Sequence, residues 1–355
     1  MPLYANEPLP VEIVFSPQWW NKETGITFDR DFFFHPARRV EDERKMERHL
    51  YEKWGCYGLG RDHKLDRPEL GAVHLASGYL LSEMMGCKID YREAAPPEVI
   101  CKYMEEPDIR PIEDAFKSDA YKAFLQMLEE LKTRYGYVTG DVNWSGILNL
   151  AIDLRGQELF FDMNDDPEGT RAFFSSIAVM IEKFTDSMQE SSHSTSISVN
   201  RTVSRFDVPI LLHSECSLTM ISEVMYREYL QAFDIAWSKK KTPFGVHYCG
   251  TDPHRFAMAF SEIPELDFLD LGWGGDVALL RKHLPKTFLN LRLSPAELAR
   301  CSPAEVRETI LRLVKQSGDL NLTGICCINM DDKVSDENVS AILETRKEIL
   351  EKSQL

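Results

Sequence analysis

Three side chains that zinc prefers as ligands stand out in this sequence. His247 and Cys249 are separated by one residue and follow the apolar run 242–246, and Cys326 ends a later apolar run. Thiolates and imidazole are typical zinc donors, and three protein ligands leave a fourth coordination position for a substrate. The pattern predicts a catalytic zinc site that activates a thiol or polarises a substrate oxygen. The alternative is a fortuitous spacing in which the cysteines are small core side chains.

The third and fourth ligands have competing candidates. Cys327 competes with Cys326, because neighbouring side chains on a strand point to opposite sides. We favour Cys326. A fourth ligand in the resting state could be Asp270, which lies near the end of another apolar run and is also a candidate substrate contact, although Asp267 and Asp276 are about as well placed.

Two further side chains are candidates for contact with a substrate. Glu215 follows the apolar run 208–213, where a carboxylate can orient a substrate or act as a general acid; an exposed loop glutamate is the commoner explanation. Trp144 lies in the glycine-containing loop 140–146, which could face the site, but turn chemistry alone explains the glycines.

Composition limits the class of protein. The chain has 355 residues, of which 43% are hydrophobic, enough for a large core. Its net charge of −16 disfavours binding to a nucleic-acid backbone. Eight irregularly spaced cysteines suit a reducing compartment. With no signal peptide at the N-terminus and no apolar segment of bilayer length, we expect a cytoplasmic protein without membrane contact.

From about residue 208 the chain alternates short apolar runs with segments of helical period. This alternation is typical of βα units around a parallel sheet, and the runs are 208–213, 242–249, 266–271, 287–293 and 320–329. Ser294 and Ser302 each begin a capping box with proline at the first helical position. Ser335 is the predicted cap of a last helix.

The first half of the chain has a weaker pattern. Helices are predicted over 37–54, 112–136 and 166–190, and early strands over 72–76 and 137–141. No linker divides the chain into two domains. The expected fold is α/β, a (β/α)8 TIM barrel over 71–355 behind an N-terminal helical extension, 1–70, that packs on the barrel. In such a barrel the ends of the strands that carry His247, Cys249 and Cys326 converge on the mouth.

Several motifs, in order along the chain, resemble the uroporphyrinogen decarboxylase superfamily and within it the zinc-dependent, cobalamin-linked methyltransferase branch. The segments that carry the resemblance are Gly146-Ile147-Leu148-Asn149-Leu150-Ala151 through Leu154-Arg155-Gly156 to Asp166-Pro167-Glu168, Met220 to Tyr229, His247-Tyr248-Cys249-Gly250, Cys326, and Asp336-Glu337-Asn338. Ile147 replaces the usual proline of the first segment. The resemblance covers most of the chain and implies a TIM barrel with His247, Cys249 and Cys326 as zinc ligands.

The decarboxylase itself is a poorer match than the methyltransferases. Its arginine-rich N-terminal segment is replaced here by Phe15-Ser16-Pro17-Gln18-Trp19-Trp20. Its substrate-binding aspartate corresponds to Ser77 or a neighbour, so Ser77 becomes a candidate substrate contact. Without that carboxylate and those cations, this chain has little to hold the substrate of the decarboxylase.

The resemblance therefore implies a zinc-dependent methyltransferase. Such an enzyme moves a methyl group between cobalamin, carried by a partner corrinoid protein, and a small methyl donor or acceptor. Two alternatives remain at this level: metal-free decarboxylation of uroporphyrinogen, and a non-catalytic barrel that binds a corrinoid protein or stores zinc.

Overall fold

A parallel six-stranded β-sheet with surrounding helices forms the centre of the molecule. The structure is a computed structural model that describes residues 2–62, 79–107, 112–136, 142–193 and 200–353. The strands, in chain order, are β1 (Val11–Phe15), β2 (Lys88–Asp90), β3 (Glu98–Ile100), β4 (Leu211–Ser214), β5 (Phe244–His247), β6 (Leu266–Asp270), β7 (Phe288–Arg292) and β8 (Thr323–Met330). β2 and β3 pair with each other as a separate antiparallel hairpin.

The helices cover the outside of the sheet and the N-terminal region. In chain order they are α1 (Pro17–Thr24), α2 (Arg30–Phe34), α3 (Pro36–Trp54), α4 (Tyr79–Met84), α5 (Ile112–Ala115), α6 (Asp119–Tyr135), α7 (Ile147–Arg155), α8 (Glu158–Asp165), α9 (Pro167–Ser192), α10 (Glu223–Tyr229), α11 (Gln231–Lys240), α12 (Ala257–Ser261), α13 (Val277–His283), α14 (Pro295–Leu298), α15 (Pro303–Ser317) and α16 (Asp336–Ser353).

The strand order of the large sheet is that of a curled half-barrel. β1 pairs with β8, and the order continues through β7, β6 and β5 to β4, with every pair parallel. The described residues thus form a TIM-barrel-like sheet and not a closed barrel. The predicted strands 72–76 and 137–141 lie outside the described residues.

The sheet begins inside the segment that we assigned to a helical extension. Val11 to Phe15 is buried along its whole length and pairs with β8. Glu12 interrupts the apolar pattern of this strand, which is why the pattern did not indicate it. The Glu12 carboxylate is buried and accepts a hydrogen bond of 2.5 Å from Arg205 Nε, so the charge is paired instead of solvated.

The helix predictions agree closely with the observed elements. The segment 37–54 is α3 and 166–190 is α9, whereas 112–136 divides into α5 and α6. At α15 the Ser302 side chain accepts from the Glu305 amide while Glu305 accepts from the Ser302 amide, which completes the predicted capping box. In the part of the chain that the structure describes, every helix is too short or too polar to cross a bilayer.

Candidate metal centre

The carboxyl ends of the central strands carry polar side chains that meet at one edge of the sheet. Register pairs Ser214 with His247, and His247 with Asp270; β7 ends at Arg292. Because parallel strands end at the same edge, these residues form a polar layer at the carboxyl end of the sheet. His247, Asp270 and Arg292 are all at least 96% buried, so each must find its partner within the protein.

Asp270 fixes the orientation of the His247 ring. Its Oδ2 is hydrogen-bonded to His247 Nδ1 and accepts from Arg292 Nη2 at 2.9 Å, while Oδ1 accepts from Asn290 at 3.1 Å. Burial opposes the charge on Asp270, but Arg292 and His247 lower the pKa of its carboxyl to about 2. The remaining ring nitrogen, Nε2, therefore faces away from the carboxylate, the arrangement common for metal-binding histidines.

Two thiols lie beside that free ring nitrogen. Cys249 Sγ is 3.0 Å from His247 Nε2 and 2.7 Å from Cys216 Sγ, and both cysteines are free. A hydrogen bond from Cys216, together with the positive charges of His247 and Arg292, lowers the pKa of Cys249 despite its burial. The same contact with Cys249, and burial, raise the pKa of Cys216. The lowered pKa favours the thiolate of Cys249, the form that binds metal and attacks electrophiles.

This cluster fits a zinc ion. The ligand atoms of Cys216, His247 and Cys249 all lie within 4.8 Å of one another. Around a tetrahedral zinc ion, with Zn–S of about 2.3 Å and Zn–N of about 2.0 Å, ligand atoms stand about 3.5 to 3.8 Å apart. The two thiols have to separate by about 1 Å to reach this spacing. Two thiolates and one imidazole are zinc donors, and they leave one position open.

The third member of this cluster is not the predicted one. Cys326 lies within β8 and not at its end, because the strand continues to Met330. Its Sγ is 3.6 Å from Asp270 Oδ1, so it faces the site but lies outside the cluster, where Cys216 is found instead. Cys327 points elsewhere, with its Sγ 3.9 Å from Met330 Sδ. Alternation along the strand thus places Cys326, and not Cys327, on the side of the site.

Glu215 lies behind the site and does not line its cavity. It is fully buried, and its Oε1 accepts from the amides of Ile147 at 3.1 Å and Leu148 at 3.5 Å, at the start of α7. The same oxygen is 2.9 Å from His213 Nε2. Glu215 therefore joins the end of β4 to the N-terminus of α7, where a negative charge is favourable.

His213 belongs to a buried network on the far side of β4. Its Nδ1 is 2.7 Å from Asp234, whose other oxygen accepts from the Tyr226 hydroxyl at 2.6 Å. Burial disfavours the imidazolium, but Glu215 and Asp234 raise the pKa of His213 to about 10. Trp144, predicted as a substrate contact, stacks on His213 with ring centroids 6.2 Å apart and is 1% exposed. Trp144 therefore packs against this buried network.

Each of the other predicted site residues has a different structural role or location. Asp267 accepts from the Phe244 amide at the start of β5, and Asp276 is the N-cap of α13. Asp270 orients His247 as described above. Ser77 lies outside the described residues.

A cavity of about 580 Å³ opens beside the cluster. Strand ends, α7 and the β2–β3 hairpin share its wall. Its lining residues are Pro97, Glu98, Val99, Asn143, Ser145, Asn149, Ile152, Asp153, Ser214, Cys216, Ser217, His247, Cys249, Trp273, Arg292, Pro295, Ile328 and Asn329. This volume is typical of small-molecule sites.

Two residues of the site were missed in the sequence. Arg292 stands alone as a charge in the run Leu291-Arg292-Leu293, and a buried arginine inside an apolar strand indicates a buried partner. Cys216 follows a predicted strand, as Cys249 does, and that shared position was the available signal.

Comparison with known proteins gives a fold but no family. No protein-family model matches the chain, and no curated protein sequence is similar to it. Among solved structures the fold is similar to that of a methyltransferase from Methanosarcina mazei, with a TM-score of 0.68 over 97% of this chain and 95% of that chain. The two sequences are 14% identical, so the likeness extends to the architecture alone.

Proposed function

We propose that this protein is a zinc-dependent methyltransferase that moves a methyl group between a corrinoid, carried by a partner protein, and a small substrate. The observation that carries the proposal is the cluster of Cys216, His247 and Cys249 in the wall of a cavity at the strand ends. The shared fold with a methyltransferase and the resemblance of the motifs support the same activity.

The residues fit zinc as ligands and as supports for the ligands. His247 would bind through Nε2, because Asp270 occupies Nδ1. Cys249 and Cys216 would provide thiolates, with the Arg292 guanidinium 3.4 Å from Cys249 Sγ to offset their negative charge. When bound, zinc keeps a substrate thiol anionic at neutral pH or makes a methylated donor a better substrate for demethylation.

The remaining residues hold the metal ligands and the substrate in place. Arg292 and Asn290 fix the Asp270 carboxylate, which in turn fixes the imidazole, so the metal ligands are positioned before the substrate arrives. The recessed cavity surrounds a small substrate beside the ligands, which favours a defined approach of the methyl group.

Decarboxylation of uroporphyrinogen is less well supported. That substrate carries several carboxylates and needs several cations around it. Among the described lining residues, Arg292 and His247 are the basic side chains, and both already pair with Asp270.

The test measures methyl transfer from methylcobalamin to each thiol of a panel. The absorbance change of the corrinoid monitors the reaction. We expect zinc-loaded protein to transfer the methyl group and the His247→Ala variant to lose transfer by more than about 100-fold, because the variant removes a metal ligand. Equal transfer by a zinc-free His247→Ala/Cys249→Ser variant would rule the proposal out. Zinc binding without turnover would favour a non-catalytic barrel, and loss of carboxyl groups from uroporphyrinogen would favour the decarboxylase.

A further inference from the structure

A carboxylate on a different wall lines the same cavity as the metal cluster. Asp153 lies on α7, and its neighbours on that helix face, Asn149 and Ile152, line the cavity with it. The spacing of these residues, i, i+3 and i+4, places them on one side of the helix. The ligands at the strand ends and this face of α7 therefore line the same cavity.

Asp153 has little to balance its charge. Its Oδ2 accepts a hydrogen bond of 2.7 Å from the buried Ser82 hydroxyl. Within the described ranges this is its one side-chain hydrogen bond, and no described cation forms an ion pair with it. Burial raises the pKa of Asp153 to about 6, although the Ser82 hydrogen bond acts in the opposite direction. At pH 7.5 the carboxylate is ionised and has only a neutral partner.

The other acidic side chain in the cavity wall away from the ligands is already paired with a cation. Glu98, in β3, forms an ion pair with Arg92, and the same guanidinium contacts Asp90 in β2. Glu98 therefore has its partner within the hairpin. Asp153 is therefore the carboxylate in the described cavity wall that remains available to a ligand.

The charges at the metal end cancel, so they do not neutralise Asp153. With zinc bound, its charge of +2 would be offset by the thiolates of Cys216 and Cys249, while His247 would bind as a neutral imidazole. Arg292 forms an ion pair with Asp270, so these two charges also cancel. A ligand that bridges the cavity thus meets a neutral metal centre at one end and a negative charge at the other.

We propose that Asp153 forms a second subsite that binds a cationic nitrogen of the substrate, while the reacting sulfur lies at the metal end. The substrate class is then a small thiol, or its methylated form, with an ammonium group. The inference rests on the proposed function for the metal end, but the charge preference can be measured by binding alone. The carboxylate and ammonium would form a charge-assisted hydrogen bond that is shielded from water.

The test compares thiols with the same two-carbon frame and different charge. Aminoethanethiol, mercaptoethanol and mercaptoethanesulfonate are cationic, neutral and anionic; their dissociation constants for zinc-loaded full-length protein are measured by calorimetry at pH 7.5. We expect aminoethanethiol to bind about 10- to 100-fold more tightly than mercaptoethanesulfonate, the range of a charged hydrogen bond. In Asp153→Asn the ratio of the dissociation constants of mercaptoethanesulfonate and aminoethanethiol should fall close to one. Asp153→Glu should still bind aminoethanethiol more tightly than mercaptoethanesulfonate.

Asp165→Asn is the matched control, because this exposed carboxylate at the end of α8 lies away from the cavity. It should retain the wild-type ratio and zinc content. Equal binding of the three thiols by wild-type protein, or an unchanged ratio in Asp153→Asn, overturns the subsite, and so does a failure of all three to bind. Charge preference without methyl transfer from methylcobalamin would refute the proposed function but support the subsite. Methyl transfer without charge preference would support the proposed function but refute the subsite.

Discussion

Asp270 organises the site because three neighbours share its carboxylate. His247, Arg292 and Asn290 each contact one of its oxygens. A buried carboxylate with a single partner would be costly, whereas one with several charged and polar partners remains ionised. The free nitrogen of His247 is a consequence of this arrangement, and Arg292 is held where its charge helps to lower the pKa of Cys249.

The identity of the third metal ligand can be tested at the residue scale. We expect Cys216→Ser to weaken zinc binding by more than about 100-fold, since it removes a thiolate ligand, and Cys326→Ser by about tenfold or less, as for a residue next to the ligands. Competition with a chromophoric chelator measures both affinities. Cys327→Ser, on the opposite side of β8, is the control. The reverse order for Cys216 and Cys326 would restore the ligand set predicted from the sequence.

The buried His213 network predicts a pH dependence of stability. The pKa of His213 is raised from 6.5 to about 10, so the folded state retains a proton that the unfolded state releases. The stabilisation is complete below pH 6.5 and is lost as the pH rises through 10. Chemical unfolding at several pH values should show a smaller decline in unfolding free energy for His213→Gln than for wild type between these limits. An equal decline in both proteins would contradict the assignment.

At the scale of elements, the contact between α7 and β4 connects the two walls of the cavity. α7 carries Asp153, and the residues after β4 carry Glu215 and Cys216. Gly146 allows the close approach: a Cβ there would lie 2.0 Å from the Ser214 carbonyl oxygen, which is backbone and has little freedom to move. The glycine of this loop therefore has a packing role in addition to turn geometry.

Gly146→Ala should accordingly displace α7 from β4. We expect a loss of about 1 to 3 kcal/mol in unfolding free energy, the usual cost of overpacking, together with weaker zinc binding because Cys216 moves. Urea unfolding and chelator competition measure the two effects. Gly136→Ala is a useful control, since a Cβ at Gly136 meets no neighbour within 4 Å and only its positive φ is strained. If Gly146→Ala bound zinc with wild-type affinity, the contact between α7 and β4 would not be needed to position Cys216.

The elements also show which parts of the fold the sequence could predict. β4 to β8 follow from apolar runs that alternate with capped helices, because burial and capping are local signals. β1 contains the buried Glu12, whose partner Arg205 is 193 residues away, and such a pairing has no local signal. The role of Cys216 was missed for the same reason: its closeness to Cys249 depends on strand register, whereas the pair His247 and Cys249 depends on spacing within one strand end.

At the scale of the whole molecule, the half-barrel brings distant segments to one edge. Residues of β4, β5, β6 and β7 and the loops after them supply the cluster and its supports, while α7 and the hairpin supply other parts of the cavity wall. Motif order along the chain indicated a (β/α)8 TIM barrel, and the described residues form a TIM-barrel-like half-barrel whose fold is similar to that of a methyltransferase. Neither source could indicate the uncompensated charge of Asp153, which arises from the packing of α4 against α7.

The zinc content of the purified full-length chain, measured by elemental mass spectrometry after extensive dialysis, tests the central claim most directly. We expect about one zinc per chain in wild-type protein, as for one open site of this type, and less than about 0.1 in His247→Ala/Cys249→Ser. Circular dichroism should show that both proteins are folded. A folded wild-type chain that retains no zinc from zinc-containing buffer, or a double variant that retains as much as wild type, would contradict the account.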